Sequence, residues 1–217
     1  ELKQLADTYF SPIKNRHLIK QYPDVAIYER AQLQQQINIV PLKEQRRVAI
    51  TFPLPAIDRF YQRKPLTFIS HLLGYEGKGS LLSYLKEQGL AINLSAGGGV
   101  NGYNFKDYNI SIQLTEKGLL QLDDVIQASF EYLKLIKTQG MEAWRYQERA
   151  NLLKLAFKYK EQIKPLYMAS HLSINMHHYE VTDLMYGDYR MDGLEVSQVK
   201  ELLDLMNPDN LRIQLIS

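Results

Sequence analysis

The sequence predicts an α+β fold in which an antiparallel sheet has helices packed on one face. Alternating apolar and polar residues, the pattern of half-buried strands, occur early in the chain, in its middle and at its end. Segments with apolar residues at helical spacing lie between them. Strand pairs with short connections outnumber strand–helix–strand units, which favours an antiparallel sheet over a parallel one.

The N-terminal segment is predicted to be a helix followed by a linker. Apolar residues recur at helical spacing within residues 1–15, and Pro12 should end or bend this helix near residue 11. Residues 16–35 are polar, include Pro23 and carry several glutamines. That composition is typical of a solvated connection.

Two strands with one apolar face each are expected next. The first includes residues 37–39, the second spans residues 48–54, and residues 41–45 connect them. Pro53 and Pro55 should end the second strand or confine it to a sheet edge, because proline cannot donate to the ladder.

The functional interpretation depends on the middle of the chain. Residues 65–74 form one predicted helix, and residues 81–88 form a second that Ser80 is suited to cap. Gly89 follows that helix, in a position where glycine often adopts a left-handed backbone.

A glycine cluster at residues 97–102 separates two predicted strands, residues 91–96 and residues 108–114. One interpretation is a β-bulge or wide hairpin turn. The other is a bare sheet edge, to which an extended peptide can add as a further strand. The glycines alone leave both interpretations open.

Helices dominate the rest of the chain. Thr115 should cap a long helix that ends before Gly140. Further helices are expected at residues 141–160, 166–178 and 195–206, and a last strand at residues 211–215.

Composition excludes several classes of function. The net charge of the 217 residues is +2, with Lys and Arg spread along the chain, so neither a nucleic-acid nor a membrane partner is indicated. The absence of cysteine excludes disulfides and cysteine nucleophiles. No apolar run approaches the ~20 residues of a membrane span. Because the chain begins without Met inside a predicted helix, we expect a segment of a longer polypeptide.

Two glycine-rich patterns resemble nucleotide-binding motifs but fail in context. Gly97, Gly99 and Gly102 match the dinucleotide fingerprint, yet a strand follows where a helix is required. In residues 77–80, glycine stands where a phosphate loop needs Ser or Thr after the lysine.

No catalytic or metal site is predicted in this segment. A zinc peptidase helix carries HxxEH or HExxH, and neither occurs. The nearest match begins at His177 and has Val181 in place of the second histidine. We expect His177 and His178 at the surface or in a capping role, and His71 half-buried on an apolar helix.

Residues 71–82, HLLGYEGKGSLL, resemble the insulinase/pitrilysin family of zinc metallopeptidases. The resemblance continues through residues 85–89, the glycine cluster, residues 114–119 and residues 207–212, and covers nearly the whole chain. It points to the second of four related domains, the non-catalytic one that follows the catalytic domain.

The resemblance implies a metallopeptidase-like two-layer sandwich within a two-halved clamshell. Residues 1–23 would be the tail of the preceding catalytic domain and a connector, and residues 24–217 the non-catalytic domain. Zinc would be bound by the preceding domain, so this segment should be inactive alone. Its implied partners are a peptide substrate and the other domains of the same polypeptide.

In some relatives this domain carries an exosite that anchors the N-terminal segment of a substrate as an added strand. Glu76 would pair with the terminal ammonium of that substrate. Ser95 and Ala96 depart from the family pattern, which has an apolar residue and a glycine there. By matching position, the exosite would comprise Gly74, Glu76, Leu94, Ser95, Ala96, Gly97 and Gly98.

The alternative function is a structural or assembly domain of a family member that has lost catalysis. An exposed sheet edge would also allow the isolated segment to form a homodimer. The sequence does not determine the cellular compartment, which for a bacterial protein would be the periplasm or the cytoplasm.

Overall fold

The computed structural model describes residues 1–19, 21–22 and 25–217. The predicted boundary at residues 23 and 24 lies outside the described residues. Within them, eight α-helices accompany a five-stranded sheet. The helices are α1 (Leu2–Phe10), α2 (Pro65–Leu73), α3 (Leu81–Glu87), α4 (Glu116–Leu120), α5 (Leu122–Gln139), α6 (Ala143–Lys158), α7 (Pro165–Asn175) and α8 (Val196–Leu205), and the strands are β1 (Gln35–Ile39), β2 (Arg47–Pro55), β3 (Ala91–Asn101), β4 (Phe105–Leu114) and β5 (Arg212–Ile216).

The predicted α+β class is confirmed, with one local difference in the sheet. Its strand order is β1-β5-β2-β4-β3. The pairs β2–β4, β3–β4 and β2–β5 are antiparallel, whereas β1–β5 is parallel. The first two strands are therefore not neighbours, because the C-terminal strand lies between them.

The core lies on one face of the sheet. Residues of β2 alternate between buried and half-buried, so every second side chain points to the helices. Helices α2, α3 and α8 contact the sheet on this side. The largest fully buried side chains of β2 and β4 are Ile50, Phe52, Tyr108, Ile110 and Ile112.

Pro53 and Pro55 lie in the last part of β2, which pairs with one neighbouring strand only. Pairing of β2 with β5 stops at Thr51, while pairing with β4 continues to Pro55. Both prolines thus lie where β2 has a strand partner on one side only. The Asn210 side-chain amide donates to the Pro53 carbonyl at 2.8 Å on the other side.

The predicted long helix after Thr115 is divided in two. Thr115 Oγ1 accepts from the Gly118 N–H at 2.9 Å, as expected for a cap. The helix nevertheless breaks at Gln121, between α4 and α5. Gly140 ends α5, as predicted.

Helix α1 buries no residue and leaves its apolar side chains exposed, including Leu2, Tyr9 and Phe10. None of the helices in the described ranges is long and apolar enough to cross a membrane.

Candidate peptide-binding edge

Strand β3 forms one edge of the sheet and contains the glycine cluster. Gly97, Gly98 and Gly99 lie within the strand, so they are not the hairpin turn. That turn comes later, where the Gly102 N–H donates to the Phe105 carbonyl at 3.0 Å. A register shift after Gly98 marks a bulge. The glycines therefore belong to an edge strand that has β4 on one side and no strand on the other among the described residues.

The hydrogen bonds of β4 determine which backbone N–H and C=O groups of β3 do not pair with β4. The Leu114 N–H donates to the Arg46 carbonyl at 2.9 Å, on the β2 side. Every second residue of a strand directs its peptide groups to the same side. Ile112, Ile110 and Tyr108 therefore hydrogen-bond towards β2 and not towards β3.

Their β3 partners are Leu94, Ala96 and Gly98. These three residues consequently form non-hydrogen-bonded pairs with β4 and direct their N–H and C=O groups to the free edge. The Leu94 N–H agrees with this direction, because it donates at 2.7 Å to the side-chain oxygen of Asn93 instead of to β4. The row of outward peptide groups is what an added strand requires.

The glycines leave space beside the backbone of β3. A Cβ added to Gly97 would meet no atom within 4 Å. At Gly98 it would lie 2.6 Å from Lys106 Cε, the mobile end of a long side chain. The ammonium of that lysine donates to the Gly99 carbonyl at 2.9 Å. A side chain at position 97 would therefore occupy free space on one face of β3. A side chain at position 98 would displace Lys106 on the other face.

The methyl group of Ala96 does not project from the edge. Ala96 faces Ile110, a fully buried residue, and packs against the core. Leu94 is buried in the same way, so it can reach a ligand only through its backbone. The departure from glycine at position 96 thus leaves the outward peptide group accessible.

The loop between α2 and α3 contains the other predicted site residues, Gly74 and Glu76. The Gly74 N–H donates to the Ser70 carbonyl at 2.9 Å and ends α2. Gly79 has a φ of +84°, a left-handed conformation that favours glycine. Ser80 then caps α3 by accepting from the Ser83 N–H at 3.0 Å, as predicted. Both helices contact β3, which places the loop on the helix-covered side of the edge strand.

Glu76 is exposed and has neither a hydrogen bond nor an ion pair with any described residue. Its carboxylate is therefore available to an ammonium group from outside the chain. Together, the outward peptide groups of β3 and this carboxylate offer contacts to an extended peptide that has a terminal ammonium.

The histidines lie in separate surroundings. His178 pairs with Asp58 at 2.8 Å, and His177 is exposed. His71 is half-buried as expected, 3.5 Å from Glu148, and burial together with the charge of Arg149 lowers its pKa. No group of three or more metal-ligating side chains occurs in the described part of the chain.

A cavity at the end of β3 was not predicted from the sequence. A cavity of about 350 Å³ lies between the start of α2 and α7, and Asn101 at the end of β3 contributes to its wall. Its polar residues include Lys64, His171 and Asp188. They are far apart in the chain, so no linear motif could reveal them.

Sequence comparison identifies relatives of this chain. Residues 1–153 match the peptidase M16 inactive domain, and residues 157–217 match the middle or third domain of peptidase M16. Human insulin-degrading enzyme is 30% identical over 218 residues, which cover 100% of this chain and 21% of the enzyme. A nardilysin-like protein of Arabidopsis thaliana is 34% identical over 180 residues, which cover 81% of this chain and 18% of that protein.

Solved structures give the same assignment. The crystal structure of pitrilysin matches 100% of this chain and 23% of its own with a TM-score of 0.92 and 28% identity. A peptidase M16 inactive domain from Pseudomonas fluorescens, with a TM-score of 0.58 and 19% identity, matches 85% of this chain and 43% of its own and supports the fold alone. The chain spans only 21% of the human enzyme's length. It belongs to the insulinase/pitrilysin family of peptidases, M16, and most of it corresponds to the inactive domain of that family.

Proposed function

We propose that this chain is the middle domain of a zinc-dependent endopeptidase and that it encloses and anchors peptide substrates. Cleavage would be performed by a preceding domain that carries the zinc ion. The observation that supports the proposal is the free edge of β3, where three residues direct their peptide groups away from β4. Main-chain hydrogen bonds to an added strand capture peptides of varied sequence.

The proposed exosite combines two kinds of contact. Leu94, Ala96 and Gly98 would bind the peptide backbone, while Ser95 and Gly97 keep β3 attached to β4. The loop between α2 and α3 would present the Glu76 carboxylate to the substrate's N-terminal ammonium. The two groups would form a charge-assisted hydrogen bond.

We further propose that residues 1–23 are the tail of the preceding domain and its connector, and that residues 24–217 are the non-catalytic domain. The exposed apolar side chains of α1 support this division, because an amphipathic helix with no covered face is suited to pack against another domain.

The 217-residue chain alone should neither retain zinc nor cleave peptides. The expected results are a substoichiometric zinc content after dialysis and no turnover of a fluorogenic peptide. Adding the separately produced preceding domain should restore cleavage. Stoichiometric zinc with turnover by the chain alone would overturn the proposed division of labour.

Ala96→Pro should weaken peptide binding by about tenfold, because it removes an N–H that faces the free edge. The β3–β4 ladder should survive, since this N–H does not pair with β4 and edge strands tolerate proline. Fluorescence anisotropy with a labelled peptide that has a free N-terminus measures the effect.

Ala96→Ser is the matched control, because it keeps the N–H and adds only one oxygen atom. Its affinity should stay close to that of the parent chain. If Ala96→Pro, verified as folded by circular dichroism, binds the peptide equally well, β3 is not the anchoring edge. Concentration-dependent dimerisation that the same substitution abolishes would instead assign the edge to a second copy of the chain.

A further inference from the structure

The cavity beside α2 lies at the end of the proposed peptide-binding edge. Asn101, the last residue of β3, and Leu66, in the first turn of α2, both line it. A Cβ at Gly98 would lie 3.9 Å from Leu66 Cδ2, so the helix side of β3 at Gly98 lies beside a residue of the cavity wall. Gly98 and Asn101 are three residues apart, about 10 Å at ~3.3 Å per strand residue. A peptide that extends past Gly98 would therefore bring a side chain to the cavity.

The acidic groups of the cavity already have partners. Asp188 accepts from the Tyr179 hydroxyl at 2.8 Å and faces His171 Nε2 at 2.8 Å. The Asn175 side chain donates to the same carboxylate at 3.3 Å. Asp58 pairs with the second histidine of the cavity, His178. Each carboxylate of the cavity wall therefore already has a partner within the chain.

Lys64 is different, because its ammonium has no hydrogen bond or ion pair with any residue in the described ranges. It lies over the ring of Tyr179, 5.7 Å from the centroid. Burial lowers the pKa of Lys64, and the negative charge of Asp188 opposes that effect. The ammonium therefore keeps donor capacity that no described side chain uses.

The backbone holds Lys64 in an unfavourable conformation. Lys64 is the residue before α2 and has φ 46° and ψ 56°, in the left-handed region. Glycine or asparagine adopts this conformation at lower cost than lysine. Strained non-glycine residues cluster at ligand-binding positions, where surrounding structure maintains them.

We propose that this cavity receives the carboxylate side chain of an aspartate or glutamate from a peptide bound along β3, with the Lys64 ammonium as its partner. This inference rests on the proposed exosite and adds a sequence preference to it. Backbone capture by β3 selects no particular residue, whereas the cavity selects an acidic one at a fixed distance along the peptide. Phe60 and Leu66 in the wall would contact the aliphatic part of that side chain.

The test is a glutamate scan of a labelled peptide. The host is a peptide of about 12 residues with uncharged side chains and a free N-terminus, long enough to follow β3 at ~3.3 Å per residue. Each position is replaced in turn by Glu and by its isostere Gln, and binding to the 217-residue chain is measured by anisotropy. One position should favour Glu over Gln by about tenfold, and its neighbours should not.

Lys64→Met should abolish that preference and leave the affinity for the host peptide unchanged. Lys64→Arg keeps the positive charge and should retain most of the preference. The control is Lys200→Met, because Lys200 is an exposed lysine on α8. Circular dichroism verifies that each variant is folded.

The outcomes separate the two proposals. If the host peptide binds but Glu and Gln are equivalent at every position, or if the preference persists in Lys64→Met, the acidic pocket is wrong and the exosite stands. If neither the host nor any substituted peptide binds, both proposals fail.

Discussion

Gly118→Ala should destabilise the fold by about 3 kcal/mol or more, the largest effect on stability that we expect from a single methyl group. A Cβ at Gly118 would lie 1.8 Å from the carbonyl oxygen of Leu90 and 2.8 Å from its carbonyl carbon. Both are backbone atoms, so no side-chain rotation can relieve the overlap. Either α4 or the segment that leads into β3 must move.

The overlap occurs where several hydrogen bonds join these segments. Thr115 caps α4 through the Gly118 N–H, and its own hydroxyl donates to the Gly89 carbonyl at 2.7 Å. The Thr115 N–H donates to the Leu90 carbonyl at 3.1 Å. Displacement would therefore weaken the cap and the start of β3 together.

Urea denaturation measures the effect of Gly118→Ala on the free energy of unfolding. Gly97→Ala is the matched control, because a Cβ at Gly97 meets nothing within 4 Å. It should change the free energy of unfolding by no more than ~0.5 kcal/mol. Equal destabilisation by the two substitutions would show that crowding against Leu90 is not the cause.

Local features of the fold were predictable from the sequence. Ser80 and Thr115 cap helices because a short hydroxyl side chain can bond an N–H three residues later. Gly89 has the left-handed φ of +69° that its position after α3 predicts. Each of these features depends on a few neighbouring residues, which the sequence displays directly.

Non-local pairing was not predictable in the same way. The apolar alternation of β1 and β2 suggests neighbouring strands, yet β5 from the C-terminus pairs with both. The alternation specifies which side chains are buried but not which strand lies alongside. The break at Gln121 was also missed, since the apolar spacing of the long helix continues across it.

The candidate site was likewise predictable only in part. The resemblance named residues 94–98, but only the strand register shows which peptide groups point outward. The cavity is lined by Lys64 together with residues more than a hundred positions away in the chain, such as Asp188. No spacing rule connects such residues, so the structure is needed to find them.

Asp188→Ala should cost about 2 kcal/mol at neutral pH, because it removes the acceptor for three side chains. These are the Tyr179 hydroxyl, the Asn175 amide and the His171 ring. Asn175 is buried, and its amide would keep the Leu184 carbonyl at 2.9 Å and a longer contact of 3.4 Å with His171 Nε2. A buried donor that loses an acceptor is not compensated by water.

The same substitution should remove a pH dependence. Burial alone would raise the pKa of Asp188, but hydrogen bonds from Tyr179 and Asn175, with the charge of His171, outweigh it and lower this pKa. A carboxyl whose pKa is lower in the folded state stabilises the fold above its unfolded value, ordinarily 3.8 for this group. That stabilisation is lost as the pH falls through the lower, folded value.

The free energy of unfolding should therefore differ most between the parent chain and Asp188→Ala at neutral pH, and the difference should shrink as the pH falls below about 4. Asp7→Ala is the control, because Asp7 is exposed on α1 and its carboxylate has no partner among the described residues. A difference that stays constant down to acid pH would mean that Asp188 acts through packing and not through its charge. A difference that shrinks would place the ionised carboxylate at the centre of the contacts that hold α7 and Tyr179 beside the segment around Asp188, which forms part of the cavity wall.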